Sequence, residues 1–183
     1  MKSKKKKPAR GEYSAKKLAV CAMLSALGVV LLYLGSLIDI LDISMAAIAS
    51  LLCIIAVIEY GKGAPWMIYG VTSILSLLLL PNKTPAAFYA IFFGFYPILK
   101  EKFEKQRKLV CWVLKEAVFN VALVLLLLIS IFLLGLTDNM LVNPMTVTIL
   151  VVLAEAVFVL YDIALTRLIT FYFVRLRSRL RLK

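Results

Sequence analysis

Residues 17–38 read KLAVCAMLSALGVVLLYLGSLI, a run in which Lys17 is the only charged residue. An α-helix rises 1.5 Å per residue, so about 20 apolar residues cross the hydrocarbon layer of a bilayer. A lysine-rich segment precedes the run, as in a secretory signal, but the run exceeds a signal core of roughly 7–15 residues and no clear small-x-small cleavage site follows it. We therefore predict a first transmembrane helix that stays attached.

The composition of the whole chain also indicates a membrane protein. Of 183 residues, 63% are hydrophobic and 17% are charged, whereas soluble domains are about half apolar and a quarter charged. Lys and Arg outnumber Asp and Glu by 22 to 10. These basic residues flank apolar runs instead of lining a folded face, which argues against a nucleic acid as the partner.

Six apolar segments predict six transmembrane helices. They cover residues 18–38, 43–60, 64–80, 84–99, 109–136 and 145–174, and the third and fourth are near the lower length limit of about 17 residues. Short connections make consecutive helices antiparallel neighbours. The predicted fold is an all-α integral membrane protein, a compact six-helix bundle over residues 18–174 between basic tails at 1–17 and 175–183.

The positions of the basic residues predict the orientation of this bundle. With six helices, both tails and the loops after the second and fourth helices face one side, and they carry 19 of the 22 basic residues. The opposite loops carry only Lys83. Because basic loops stay in the cytoplasm, we predict that both termini are cytoplasmic.

One face of the first predicted helix is lined by alanines. Ala15, Ala19, Ala22 and Ala26 follow one another at spacings of four, three and four residues, with Ser25 beside them. Small residues at this spacing let the backbone of another helix approach closely. Two interpretations remain open: packing against another helix of the same bundle, and docking onto a separate membrane protein.

The same helix resembles a known family. Residues 17–27, KLAVCAMLSAL, resemble the first helix of the substrate-binding S components of energy-coupling factor (ECF) transporters, and residues 22–26 match their Ala-x-x-x-Ala pattern. The size, the six helices and the layout of residues 39–80 are also similar to this family. The resemblance in architecture covers nearly the whole chain, whereas its sharp motif is five residues long.

This resemblance implies a function. S components are bacterial proteins of the cytoplasmic membrane that capture a vitamin-like micronutrient, and their alanine pattern docks onto a transmembrane coupling subunit that works with a pair of ATPases. For this chain it implies docking through Ala15, Ala19, Ala22 and Ala26. A small-molecule substrate and membrane lipids are the other expected partners. No vitamin-specific motif identifies the substrate.

A substrate from outside the cell must enter through the outer half of the bundle, so the polar residues there are candidate ligand contacts. A ligand site is typically an apolar cavity with a few polar groups. We expect these groups to come from the outer loops and helix ends: Asp39, Asp42, Asn82, Lys83, Thr84, Tyr89, Asn139 and Asn143. Tyr89 also begins an aromatic stripe with Phe92, Phe93 and Tyr96, which is either a stacking wall or ordinary core.

Acidic residues within the last predicted helix are also candidates, because polar groups in lipid are costly. Glu155 lies near the middle of the helix, and either contacts the ligand or bonds to another helix. Asp162 lies on the same face, and we expect a structural ion pair with Arg167 or Lys115. In the fifth helix, the polar residues are expected to tie helices together or contact a partner.

Enzyme chemistry is not expected. The chain contains no histidine and no G-x-S-x-G or phosphate-binding glycine motif, so we predict no catalytic residues, metal or cofactor. Its three cysteines are separated widely in apolar segments, which favours packing over disulfides. Two alternatives to the transport subunit remain: a membrane scaffold or biogenesis protein, and a small ion- or proton-coupled carrier that uses Glu155.

Overall fold

The computed structural model describes residues 10–61, 63–133 and 144–172, and every regular element among them is helical. The α-helices are α1 (Arg10–Leu37), α2 (Asp42–Tyr60), α3 (Ala64–Leu79), α4 (Thr84–Phe88), α5 (Tyr96–Phe103), α6 (Lys108–Leu133) and α7 (Pro144–Phe171). A 3₁₀ turn (Asp39–Leu41) joins α1 to α2, and a π-helical turn (Tyr89–Phe93) follows α4.

Four stretches of the described residues are long and apolar enough to cross a membrane. They are Lys17–Leu37, Asp42–Tyr60, Lys108–Ile129 and Val147–Phe171. Helix α3 is apolar but shorter, with 16 residues. The all-α class and these four helices agree with the prediction, and the starts of α2, α3, α6 and α7 lie within one residue of the predicted ones.

The fourth predicted segment departs from the prediction. A single helix was expected over 84–99, but the structure forms α4, the π turn and α5, with a turn at Gly94 and Phe95. Pro97 supplies the physical reason. Proline has no N–H to donate and its ring clashes with the carbonyl four residues earlier, so an uninterrupted α-helix cannot run through it.

Helix α1 begins earlier than predicted. The apolar run starts at residue 18, but the helix starts at Arg10, so part of the predicted polar tail is helical. Residues 10–17 contain neither proline nor a β-branched residue, the residue types that break a helix or lower its propensity through a restricted side chain. The helix therefore extends beyond its apolar part.

The chain divides into two compact units, Met1–Glu101 and Lys102–Lys183. In the first unit, α1, α2 and α3 contact one another, and α4 and the π turn pack on α2. Leu32, Ile54 and Ile68 place one fully buried apolar side chain from each long helix in its core.

In the second unit, α6 and α7 are joined side by side. The rings of Phe119 and Phe158 stack with their centroids 4.4 Å apart. Four residues earlier on α6 and four later on α7, Lys115 bonds to Asp162. Because contacts move forward along one helix as they move back along the other, α6 and α7 are antiparallel.

Candidate functional site

The two sides of α1 have different environments. Successive helical residues turn by about 100° around the axis, so residues at alternating spacings of three and four share a face. One such face is buried and is formed by Cys21, Ser25, Gly28 and Leu32. The candidate docking residues lie roughly a third of a turn away from it, and all are exposed: Ala15, Ala19, Ala22 and Ala26. We call these four the alanine face.

The buried face of α1 makes the close helix contacts of the first unit. A Cβ atom added at Gly28 would lie 3.1 Å from Cγ2 of Thr72 on α3. One added at Gly35 would lie 2.9 Å from Cβ of Met45 on α2. Glycine therefore permits these approaches, and Ser25, which stands beside the alanines in the sequence, belongs to this internal contact.

Small side chains line this side of α1 along only half of the helix. Further along the same side of α1, the exposed side chains are Val30, Tyr33 and Leu37, with 53%, 44% and 59% of their surfaces accessible. A second helix can therefore approach the α1 backbone closely between Ala15 and Ala26 and is held further away beyond them.

Three of the candidate ligand residues form a hydrogen-bonded group, which we call the Asp42 cluster. Asn82 Nδ2 donates to Asp42 Oδ2 at 3.4 Å. Asn82 Oδ1 accepts from the backbone N–H of Thr84 at 2.9 Å and from the Thr84 hydroxyl at 2.7 Å. The start of α2 and the start of α4 are therefore connected by polar side chains at one end of the first unit.

The other predicted ligand residues have different positions. Lys83 is exposed, and its ammonium group donates to the carbonyl of Leu80 at 2.6 Å. Asp39 begins the 3₁₀ turn next to the Asp42 cluster, and its side chain lies outside the described residues. Asn139 and Asn143 also lie outside the described residues. Glu155 belongs to the second unit.

Tyr89 and the aromatic stripe lie in the core of the first unit. Tyr89 is 1% accessible, and its hydroxyl is 3.1 Å from Sγ of Cys53 on α2. Phe92, Phe93 and Tyr96 are also buried, and the ring centroids of Phe92 and Tyr96 are 4.9 Å apart. Of the two interpretations of this stripe, the structure fits ordinary core.

A buried ion pair connects α6 and α7. Nζ of Lys115 lies 2.8 Å from Oδ2 of Asp162, and both side chains are less than a tenth exposed. Glu104 is a second, more distant anion at 3.9 Å from the same Nζ. Of the two partners expected for Asp162, the structure places Lys115 in contact.

The second polar connection between these helices involves Glu155. Asn120 Nδ2 donates to Glu155 Oε1 at 3.0 Å and to the backbone carbonyl of Glu116 at 3.1 Å. Oε2 of Glu155 is buried and has no hydrogen-bond partner among the described residues. Glu155 thus makes the bond to another helix that was one of its two expected roles.

Several buried polar residues are not among the predicted candidates. Ser50, Thr72 and Ser76 are fully buried between the helices of the first unit, and Lys100 is 1% accessible. The Thr72 hydroxyl contacts the carbonyl of Ser25 at 3.5 Å. The spacing of Thr72 and Ser76 by four residues places both on one face of α3, which could have indicated their burial.

No group of three or more potential metal ligands occurs among the described residues. Comparison with known proteins adds no relative: no protein-family model, no curated protein and no solved structure matches this chain.

Proposed function

We propose that this chain is the membrane-embedded substrate-capture subunit of an ECF-type uptake transporter for a vitamin-like micronutrient. In this proposal the chain spans the bacterial cytoplasmic membrane six times, with both termini in the cytoplasm. A transmembrane coupling subunit and a pair of ATPases are its partners, and hydrolysis of ATP by that pair drives release of the substrate inside.

The observation that carries the proposal is the separation of two small-residue faces on α1. The close contacts within the first unit use Ser25 and Gly28, whereas Ala22 and Ala26 are exposed. An exposed small-residue face in a membrane helix favours close approach of another helix, because association in lipid depends on packing. This arrangement supports docking onto a partner.

The orientation predicted from the basic residues also supports this proposal. The first part of α1, which carries the alanine face, follows a tail rich in lysine. If the positive-inside rule holds, the alanine face lies in the cytoplasmic half of the membrane, on the side where ATPases act. The bulky residues Val30, Tyr33 and Leu37 then lie in the outer half.

Substrate capture is assigned to the opposite end of the first unit. The Asp42 cluster offers carboxylate, amide and hydroxyl groups at the starts of α2 and α4. Asp39 and Lys83 adjoin it in sequence. In the proposed orientation this end faces outward, so these groups meet an incoming polar ligand. Asn139, Asn143 and Glu155 remain candidate contacts in this proposal.

The experiment is affinity purification of the full chain from solubilised membranes of its host, with mass spectrometry of the proteins and small molecules that accompany it. The proposal expects one transmembrane subunit and two ATPases, together with a small organic molecule. Recovery of a folded chain with neither ATPases nor a small molecule would contradict it. Ion flux through liposomes that contain the chain alone would favour a carrier instead.

A further inference from the structure

The π turn Tyr89–Phe93 has an unusual hydrogen bond at its end. The backbone N–H of Gly94 donates to the carbonyl of Tyr89, five residues earlier, at 2.7 Å. In an α-helix the same N–H would donate to Ala90, four residues earlier. In the π turn, the Ala90 carbonyl therefore does not accept the hydrogen bond from Gly94 that it would accept in an α-helix.

A side chain from α3 donates a hydrogen bond to the Ala90 carbonyl instead. The hydroxyl of Tyr69 donates to the carbonyl oxygen of Ala90 at 2.8 Å. The ring of Tyr69 is held among other aromatic rings, with its centroid 6.2 Å from that of Phe95 and 6.3 Å from that of Tyr89. Because this part-buried bond gives the Ala90 carbonyl a partner, it stabilises the π turn relative to an α-helical turn.

Gly94 makes room for this arrangement. A Cβ atom at position 94 would lie 2.6 Å from Cδ2 of Tyr69 and 2.8 Å from Cε1 of Tyr89. Real Cβ atoms do not approach other atoms so closely, so any side chain here would displace one of the two rings. The absence of a side chain at position 94 thus permits the bond between Tyr69 and Ala90.

We propose that the π turn is a hinge with two registers and that Tyr69 is its latch. In the latched register Tyr69 donates to the Ala90 carbonyl, and Gly94 donates to Tyr89. In the released register, the Tyr69 hydroxyl no longer bonds to Ala90, and the N–H of Gly94 donates to the Ala90 carbonyl instead. The turn then contains one residue fewer. Helix α5 then rotates about its axis by one residue position, roughly 100°. Single turns of the π type are frequent at functional sites.

The rotation changes which residues of α5 are buried. Lys100 is 1% accessible in the latched register, Leu99 and Glu101 are partly accessible, and Lys102 is exposed. In the released register each residue takes the orientation of the one that follows it. Position 99 therefore becomes buried, and position 101 becomes exposed. This device belongs to the fold and does not depend on the proposed transport function.

The test measures two single cysteines, Leu99→Cys and Glu101→Cys, each in a chain whose native cysteines are replaced by serine. Serine at position 53 retains a hydroxyl for Tyr89. The rate of reaction with a small water-soluble thiol reagent is measured in detergent before and after Tyr69→Phe. The hinge predicts that position 101 reacts faster and position 99 slower, with their ratio changing by about fivefold or more, the effect of losing one hydrogen bond.

Two further variants make the test decisive. Gly94→Ala crowds Tyr69 and should change the ratio in the same direction, by a route that keeps the tyrosine. Tyr33→Phe removes a hydroxyl from an exposed position on α1 and should leave the ratio unchanged. General loosening of the fold would raise both rates together, and that result would overturn the hinge. Unchanged rates in both Tyr69→Phe and Gly94→Ala would also overturn it.

Discussion

The ammonium group of Lys115 lies 2.8 Å from a carboxylate oxygen of Asp162, and this ion pair joins α6 to α7 with both side chains buried. Removing one partner from a buried ion pair leaves the other charge in an apolar environment, which costs about 3–5 kcal/mol in proteins. Replacing both with apolar residues of similar size often costs far less.

We therefore expect Lys115→Met to lower the free energy of unfolding by about 3–5 kcal/mol. The double variant Lys115→Met/Asp162→Leu should recover most of that loss. Unfolding of the purified protein in detergent, followed by circular dichroism, measures both. If the double variant is as unstable as the single one, the carboxylate of Asp162 has a further role that the ion pair does not describe.

A second prediction concerns Glu155 and its bond from Asn120. Glu155→Gln keeps a side-chain oxygen that accepts the same bond, so the unfolding free energy should not fall. Glu155→Leu removes the acceptor and should cost about 0.6 kcal/mol, the average found for hydrogen bonds between membrane helices. Equal losses in the two variants would show that the charge of Glu155, and not the hydrogen bond, matters for stability.

The two faces of α1 predict different effects of a larger side chain on the stability of the protein. Gly28→Leu drives a side chain into Thr72, where a Cβ atom alone would lie 3.1 Å from Cγ2. Overpacking of this kind costs about 1–3 kcal/mol. Gly70→Leu is the matched control, because a Cβ atom at Gly70 meets no atom within 4 Å. Ala22→Leu adds bulk to the exposed face, and stability in detergent should be retained.

The Asp42 cluster gives a graded prediction. Asn82→Ala removes both bonds to Thr84 and the one to Asp42, and should cost about 3 kcal/mol at roughly 1 kcal/mol per net bond. Thr84→Val removes the hydroxyl and leaves the backbone N–H, so its cost should be smaller. Thermal unfolding orders the two variants. A larger loss in Thr84→Val than in Asn82→Ala would contradict the geometry of the cluster.

Much of the helical pattern could be predicted because its causes are local. Continuous apolar residues with few charges predict the helices from 18 and from 43, and Gly61, Gly63 and Pro81 mark the connections on either side of α3. The break within 84–99 was missed, although Pro97 gives a local reason for it. The π register depends on a bond from Tyr69, 21 residues earlier in the chain, and no pattern within the segment contains that information.

The candidate site divides in the same way. Helical spacing correctly grouped Ala15, Ala19, Ala22 and Ala26 on one face, because spacing is a property of the helix. Spacing could not decide whether that face packs inside, since Ser25 is only one residue from Ala26 and is buried. Which face of α1 packs inside depends on residues of α2 and α3. Thr72 on α3 lies close to Gly28, and Met45 on α2 lies close to Gly35.

The most direct test of the central claim is the amount of ATPase pair recovered per chain in affinity purification, compared between two double variants. Ala22→Leu/Ala26→Leu adds bulk to the alanine face, and Ala117→Leu/Ala164→Leu adds the same bulk at exposed alanines of α6 and α7. If the alanine face docks onto the coupling subunit, the first variant loses the ATPases and keeps its bound small molecule, while the control keeps both. Full recovery of the ATPases with the first variant would contradict docking through this face.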